Sequence, residues 1–161
     1  MSAENQPSYI LQFCGLTDGN PGPAGAGAVL LTKDDRRVLC AFREGLGHRT
    51  VNVAEFRALI LGMKQAMRIG YKNIVAEGDS RLVINQFQGL WTIGAEDIKA
   101  LRDKALELKA NFQSFRMIHI PEVYNSAAAW QAFEAIDLED GQVFEDSQVE
   151  DDSHDEEDSL G

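Results

Sequence analysis

Cysteine and proline are scarce in this sequence, with two and four residues, and long apolar runs are missing. Its two cysteines, Cys14 and Cys40, could form at most one bridge, so a disulfide framework is not expected. No run of about 18 apolar residues occurs, which predicts no transmembrane helix. The N-terminus lacks a basic stretch followed by an apolar run, which predicts no secretory signal. We therefore expect a cytoplasmic or nuclear protein without a membrane partner.

Positive charge is absent from the last part of the chain. All 15 Lys and Arg lie in residues 1–137, together with 15 of the 26 Asp and Glu, whereas residues 138–161 contain the other 11 acids. The first segment is therefore neutral by count. We expect one folded domain at 1–137, followed by an acidic, disordered tail at 138–161. Such a tail could bind a basic protein partner or repel nucleic acid.

Hydrophobic periodicity predicts the element order β-β-β-α-β-α-α-β-α. The predicted strands lie at 8–14, 25–32, 37–44, 72–79 and 115–120, with a turn-rich loop at 15–24. The predicted helices lie at 51–70, 80–88, 95–112 and 126–136. The first three strands are joined by short connections, which favours an antiparallel meander. The whole order predicts an α/β fold with a five-stranded mixed sheet, parallel strands after the meander, and helices on both faces.

Two carboxylates occupy positions where α/β proteins often bind ligands. Glu55 lies in the first turn of the long predicted helix, and Asp79 ends the fourth predicted strand. Ligands of open α/β sheets bind beyond the carboxyl ends of strands. Each acid also has a structural explanation, because helix dipoles favour acids near the N-terminus and Asp often caps a helix.

Three motifs, taken in order, are more specific than either acid alone. They are F-x-G-x-x-x-G-N-P-G-P-x-G-x-G at 13–27, T-x-N-x-A-E-F-R-A-L at 50–59 and G-D-S-x-L-V at 78–83. This series resembles the ribonuclease H family, and most closely its plant and bacterial members with a stand-alone domain. The resemblance covers residues 8–137 and implies a ribonuclease H-like fold, in agreement with the predicted element order.

The resemblance implies a site of four acids that holds two divalent ions, Mg2+ or Mn2+, for phosphodiester cleavage. Glu55 and Asp79 match the second and third acids. The first acid is replaced by Cys14, in Phe-Cys-Gly. The fourth is replaced by Ala129, in Asn-Ser-Ala-Ala-Ala. Glu55 and Asp79 are thus the remaining catalytic and metal-ligating residues.

These replacements predict a protein that is catalytically inactive or strongly impaired. A neutral thiol removes a charge and offers a soft ligand in place of a hard one. We expect a module that binds nucleic acid or protein. The alternative is a weak RNA–DNA hybrid ribonuclease in which Glu55 and Asp79 hold one ion. Less favoured alternatives are replacement of the lost acids by Asp18 or Glu134, and a zinc site of Cys14, Glu55 and Asp79.

Substrate contacts are only partly retained. Gly15, Asn20 and Asn52 stand at positions where the family contacts substrate, although Gly15 and Asn20 also suit turns. The stretch after Trp91 has no lysine, whereas the family often has several there. Since phosphate contacts supply most nucleic-acid affinity, we expect weak binding to RNA/DNA hybrid or structured RNA.

Overall fold

A computed structural model describes residues 6–147 of the chain. The strands are β1 (Ser8–Thr17), β2 (Gly22–Thr32), β3 (Val38–Arg49), β4 (Asn73–Gly78), β5 (Ser114–His119) and β6 (Val143–Ser147). The helices are α1 (Val51–Ile69), α2 (Arg81–Phe87), α3 (Glu96–Lys109) and α4 (Ser126–Ala135), with a 3-10 turn at Glu122–Asn125 before α4. The predicted order of the first nine elements is confirmed.

The strands form one mixed sheet in the order β5-β4-β1-β2-β3-β6. The β1-β2-β3 meander is antiparallel, and β4 and β5 run parallel to β1, as predicted. The loop predicted at 15–24 is shorter than expected, because β1 continues to Thr17 and β2 begins at Gly22. Glycine and alanine dominate the first half of β2, where α4 packs closely on the strand.

The prediction of five strands is wrong, because a sixth strand, β6, pairs antiparallel with β3. Gly45 in β3 both donates to Gln142 O at 2.9 Å and accepts from Gly141 N–H at 2.8 Å, which fixes the return of the chain. Residues 138–147 therefore belong to the fold, and the predicted boundary at 137 is too early. The predicted disorder of residues 148–161 lies outside the described residues and stays a prediction.

Helices cover both faces of the sheet, as expected. On one face, α1 packs against the meander, with α2 and α3 beside it, around a core that includes Phe13, Phe42 and Phe56. On the other face, α4 packs on a smaller apolar cluster that includes Cys14 and Ala132. None of the helices described between residues 6 and 147 is both long and apolar enough to cross a membrane.

Glycines in β2 allow α4 to lie directly on the sheet. A Cβ atom at Gly25 would come within 2.3 Å of Ala132 O, and one at Gly27 within 2.2 Å of Ala128 O. No side chain fits at those distances, so the backbones touch. This contact holds the N-terminal end of α4 beside the carboxyl end of β1.

Local sequence signals define both ends of α1, which carries Glu55, and the start of α2, which follows Asp79. The Thr50 side chain accepts from Val53 N–H and begins α1, and Gly70, at φ 98°, ends it in the left-handed conformation. The Ser80 side chain accepts from Val83 N–H and begins α2 directly after Asp79.

Candidate functional site

The four positions implied by the ribonuclease H resemblance meet at one edge of the sheet. Cys14 lies in the last part of β1, and Asp79 directly follows β4, which is parallel to β1. Glu55 is the fifth residue of α1, and Ala129 is the fourth of α4. Because Glu55 lies beyond the first turn of its helix, the dipole explanation for this acid is weakened.

Glu55 is a buried carboxyl group with one oxygen bonded and one without a partner. Its side chain Oε1 accepts from the Gly15 N–H at 3.0 Å, and the residue is 6% exposed. Oε2 has no hydrogen-bond partner among residues 6–147. Burial raises the pKa of Glu55 to about 8, and the nearby charge of Asp79 also raises it, although hydrogen bonds from the Gly15 N–H and the Cys14 thiol oppose the shift.

Cys14 and Ala129 both pack into the apolar cluster under α4. Cys14 is 2% exposed and lies in that cluster with Ala128 and Ala132, and Ala129 packs against it. Burial, followed by the charges of Glu55 and Asp79, raises the pKa of the Cys14 thiol, so the sulfur is neutral. The two positions at which the family has its first and fourth acids are therefore uncharged and continuous with the apolar cluster.

Asn125 joins the remaining acids from the end of the 3-10 turn. It is fully buried, and its Nδ2 donates to Phe13 O at 2.9 Å and to Asp79 Oδ2 at 3.2 Å. Its Oδ1 has no partner in the described part of the chain. Asn125 directly precedes α4, but its side chain makes no capping bond. Its place at the start of the Asn-Ser-Ala-Ala-Ala stretch, which holds the position of the fourth acid, was the signal for a different role.

The residues present do not fit a pair of magnesium ions. Two hard cations close together need several anionic oxygen ligands. At the four family positions only Glu55 and Asp79 are carboxylates, with the neutral amide of Asn125 beside them. Glu122, whose charge also acts on Cys14, is exposed on the 3-10 turn. Within residues 6–147, no group of three or more His, Cys, Asp or Glu is arranged to hold a metal ion. The zinc alternative with Cys14 is not supported either.

Neither acid considered as a replacement reaches the gap. Asp18 is exposed and lines a cavity with Phe133 and Asp137, beside the C-terminal half of α4. Glu134 lies 3.9 Å from Arg43 of β3. Both carboxylates are thus directed to the later part of α4, away from its N-terminal end.

The three residues expected to contact substrate make bonds within the fold. The Gly15 amide is used by Glu55. Asn20 Oδ1 accepts from Val51 N–H at 3.0 Å, at the start of α1. Asn52 Nδ2 donates to Gln86 of α2 at 3.4 Å. Their roles in substrate binding stay predictions, and their structural roles hold the loops of this edge together.

A buried ionic network lies two residues deeper along the same two strands. The Arg36 guanidinium donates to both oxygens of Glu77, at 2.7 and 3.0 Å, and Gln12 Nε2 donates to Glu77 Oε1 at 2.9 Å. Gln12 also donates to Tyr124 O. Sequence reasoning missed this network, although a glutamine in an otherwise apolar strand was a visible signal.

A second feature missed from the sequence is a positively charged cavity of about 490 Å3 between α2, α3 and β5. We call it the basic groove; its cations are Arg102, Lys109 and Arg116, and none of its lining residues is acidic. Lys109 Nζ lies 5.9 Å from the Phe87 ring centroid. The spacing of Arg102 and Lys109, seven residues apart on one helix, was the available signal.

The proteins to which this chain is similar agree on one family. The model of the family described as reverse transcriptase-like matches residues 13–135. The chain is 36% identical over 125 residues to ribonuclease HI of Halobacterium salinarum, covering 78% of this chain and 62% of that protein. It is 35% identical over 128 residues to the bifunctional protein Rv2228c of Mycobacterium tuberculosis, covering 80% of this chain but only 35% of that longer protein.

Solved structures agree with the family match. The crystal structure of RNase H1 from Halobacterium salinarum superposes with a TM-score of 0.78 at 35% identity, covering 81% of this chain and 98% of that one. LC11-RNase H1, solved in complex with an RNA/DNA hybrid, superposes with a TM-score of 0.74 at 30% identity, covering 80% and 96%. This chain belongs to the reverse transcriptase-like family of ribonuclease H-like domains.

Proposed function

We propose that this chain is a ribonuclease H-like module that binds RNA/DNA hybrid or structured RNA and does not carry out two-ion cleavage. The observation that carries the proposal is the placement of Cys14 in the apolar cluster under α4, with Ala129 packed against that cluster. A thiol and a methyl group at these positions cannot hold hard cations. The fold is retained, whereas two positions of the metal site have become apolar.

Nucleic-acid binding is supported by charge and by one relative. The basic groove places three cations on the face of the sheet that carries α1, where they could contact phosphates. LC11-RNase H1 is a structural neighbour that binds an RNA/DNA hybrid. The connector around Trp91 supplies no lysine, so few phosphate contacts are available and the affinity should be low.

Restoring the two lost acids tests the placement of the site. The change Cys14→Asp together with Ala129→Asp would complete a set of four carboxylates. We expect this variant to bind Mg2+ in calorimetry, in contrast to the natural chain. The matched control, Cys14→Ser with Ala129→Ser, changes the same positions without adding charge and should bind none. Absence of any gain in a folded double-aspartate variant would contradict the placement.

A one-ion nuclease is the second candidate, and one observation favours it. Glu55 Oε2 and Asn125 Oδ1 are both buried without a hydrogen-bond partner in the described residues, beside Asp79. Buried oxygens without donors suit a single cation. A manganese-dependent cleavage of RNA/DNA hybrid that disappears in Asp79→Asn would favour this candidate over the binding module.

A further inference from the structure

The outer side of α4 carries an aromatic and acidic surface that the candidate site does not use. We call it the α4 face. Its aromatic residues are Trp130 and Phe133, each 57% exposed, and Phe144 of β6, 50% exposed. Its acids are Asp18, Glu134, Asp137, Glu145 and Asp146, of which Glu145 is paired with Arg68.

The aromatic rings form an organised surface between shallow cavities. Trp130 and Phe133 stack with ring centroids 5.8 Å apart. A cavity of about 340 Å3 lies between α4 and β6 and includes Phe144 in its lining. A second cavity of about 420 Å3 lies between α4 and the end of β1, and Phe133 lines it. The pair therefore stands next to spaces that partner side chains could fill.

The fold turns the positions of Trp130 and Phe133 outward and does not require aromatic residues there. The inward side of α4 consists of Ala128, Ala132 and Ala135, which are completely buried. All three alanines lie against the glycines of β2, so the helix cannot rotate to bury its aromatic side. Single exposed apolar residues are common, but a stacked aromatic pair beside cavities is typical of binding surfaces.

Negative charge dominates the α4 face. Among residues 6–147, Arg43 is the only cation lining either cavity, and it is bonded to Gln131 at 2.9 Å and lies 3.9 Å from Glu134. In the sequence, residues 148–161 add seven acids and no lysine or arginine. The described acids of the α4 face by themselves favour cationic partners within about one Debye length.

Charge complementarity selects the occupant. Nucleic acid and the chain's own acidic tail would both be repelled by the acids of the α4 face. Two copies in a symmetric contact would oppose the same acids. We propose that the α4 face docks a basic, amphipathic helical segment of a partner protein, with its apolar side on Trp130 and Phe133 and its lysines or arginines beside Glu134 and Asp137.

Calorimetry on the full-length chain tests this docking with a synthetic probe. The probe is a helical peptide with leucine at i, i+3, i+4 and i+7 and lysine elsewhere; its counterpart replaces every lysine with glutamate. We expect binding of the lysine peptide alone. Trp130→Ala with Phe133→Ala should weaken it by about tenfold or more. The matched control, Trp91→Ala, removes an exposed tryptophan on the α2–α3 connector and should bind as the natural chain does.

A second full-length variant separates the α4 face from the tail. In it, the seven acids of residues 148–161 are changed to Asn or Gln, and we expect the lysine peptide still to bind with its dependence on Trp130 and Phe133 intact. Complete loss of binding in this variant would assign the peptide to the tail and overturn the proposal. Equal binding of the glutamate peptide, or unchanged binding in the folded Trp130→Ala, Phe133→Ala variant, would also overturn it. So would self-association in sedimentation that the same double variant abolishes, because a second copy would then be the occupant.

Discussion

Burial decides the chemistry of the single carboxyl group Glu55. Two of its three neighbours in the family pattern are acids that share their charge with metal ions, but here those two are a thiol and a methyl group. Without a compensating cation, burial raises the pKa of Glu55 to about 8, so the group is mainly protonated at neutral pH. Cation binding at Glu55 would therefore require release of that proton.

Arg36 illustrates a different solution for a buried acid. Glu77 is 4% exposed, and burial alone would raise its pKa, but the hydrogen bonds from Arg36 and Gln12 outweigh burial and lower it. A lowered pKa stabilises the fold above the ordinary value near 4.5, and this contribution is lost as the pH falls through the lowered pKa. The network should therefore matter at neutral pH and not in acid.

We predict that Arg36→Met lowers the free energy of unfolding by about 1–3 kcal/mol at neutral pH, because Glu77 stays buried without its cation. The estimate is below that for a fully buried pair because the Arg36 side chain is 53% exposed. Urea unfolding at neutral pH and at about pH 3 measures the effect. Adding Glu77→Gln should recover most of the loss, and a deficit that persists unchanged in acid would contradict the assignment.

At the scale of elements, β6 shows where sequence reasoning stops. Val143 and Phe144 stand alone among acids and are 44% and 50% exposed, so local composition favours disorder. The strand forms because β3 offers an open edge, and because Glu145 pairs with Arg68 at 2.8 Å. Such long-range pairing is not visible in local pattern. The helices were predicted well because their periodicity and caps are local, as at Thr50 and Gly70.

We predict that β6 is needed for stability and that the residues after it are not. Truncation after residue 137 removes the strand and exposes the edge of β3, and should lower the free energy of unfolding by about 2 kcal/mol or more. Truncation after residue 147 should change it by less than about 0.5 kcal/mol. Thermal unfolding of the two variants beside the full chain makes the comparison. Equal stability of both truncations would mean that β6 contributes nothing.

On the scale of the whole molecule, charge is segregated although residues 1–137 are neutral by count. The basic groove lies on the α1 side of the sheet, at its β5 edge, and the α4 face lies on the other side, towards β6. Counting charges along the chain could not reveal this separation, because the cations of the groove come from α3 and β5 together. The site itself was located from motifs, whereas Asn125 and both charged surfaces needed the fold.

We predict that the basic groove supplies phosphate contacts. Changing Arg102, Lys109 and Arg116 together to Gln should weaken hybrid binding and reduce the slope of log affinity against log salt by about 1–3. Lys64→Gln, on the exposed side of α1, is the control. It should change the affinity and the salt slope much less than the triple variant does. Fluorescence anisotropy over a salt series gives both quantities. An unchanged slope in the triple variant would place the nucleic acid elsewhere.

The central claim is that the loss of acids at Cys14 and Ala129 removes two-ion cleavage. Its most direct test is an RNA/DNA hybrid cleavage assay with the full-length chain in Mg2+, with ribonuclease HI of Halobacterium salinarum as the positive control. We predict no cleavage above the level of the Glu55→Gln variant. Cleavage at a rate comparable to that of the relative, abolished by Glu55→Gln, would contradict the claim.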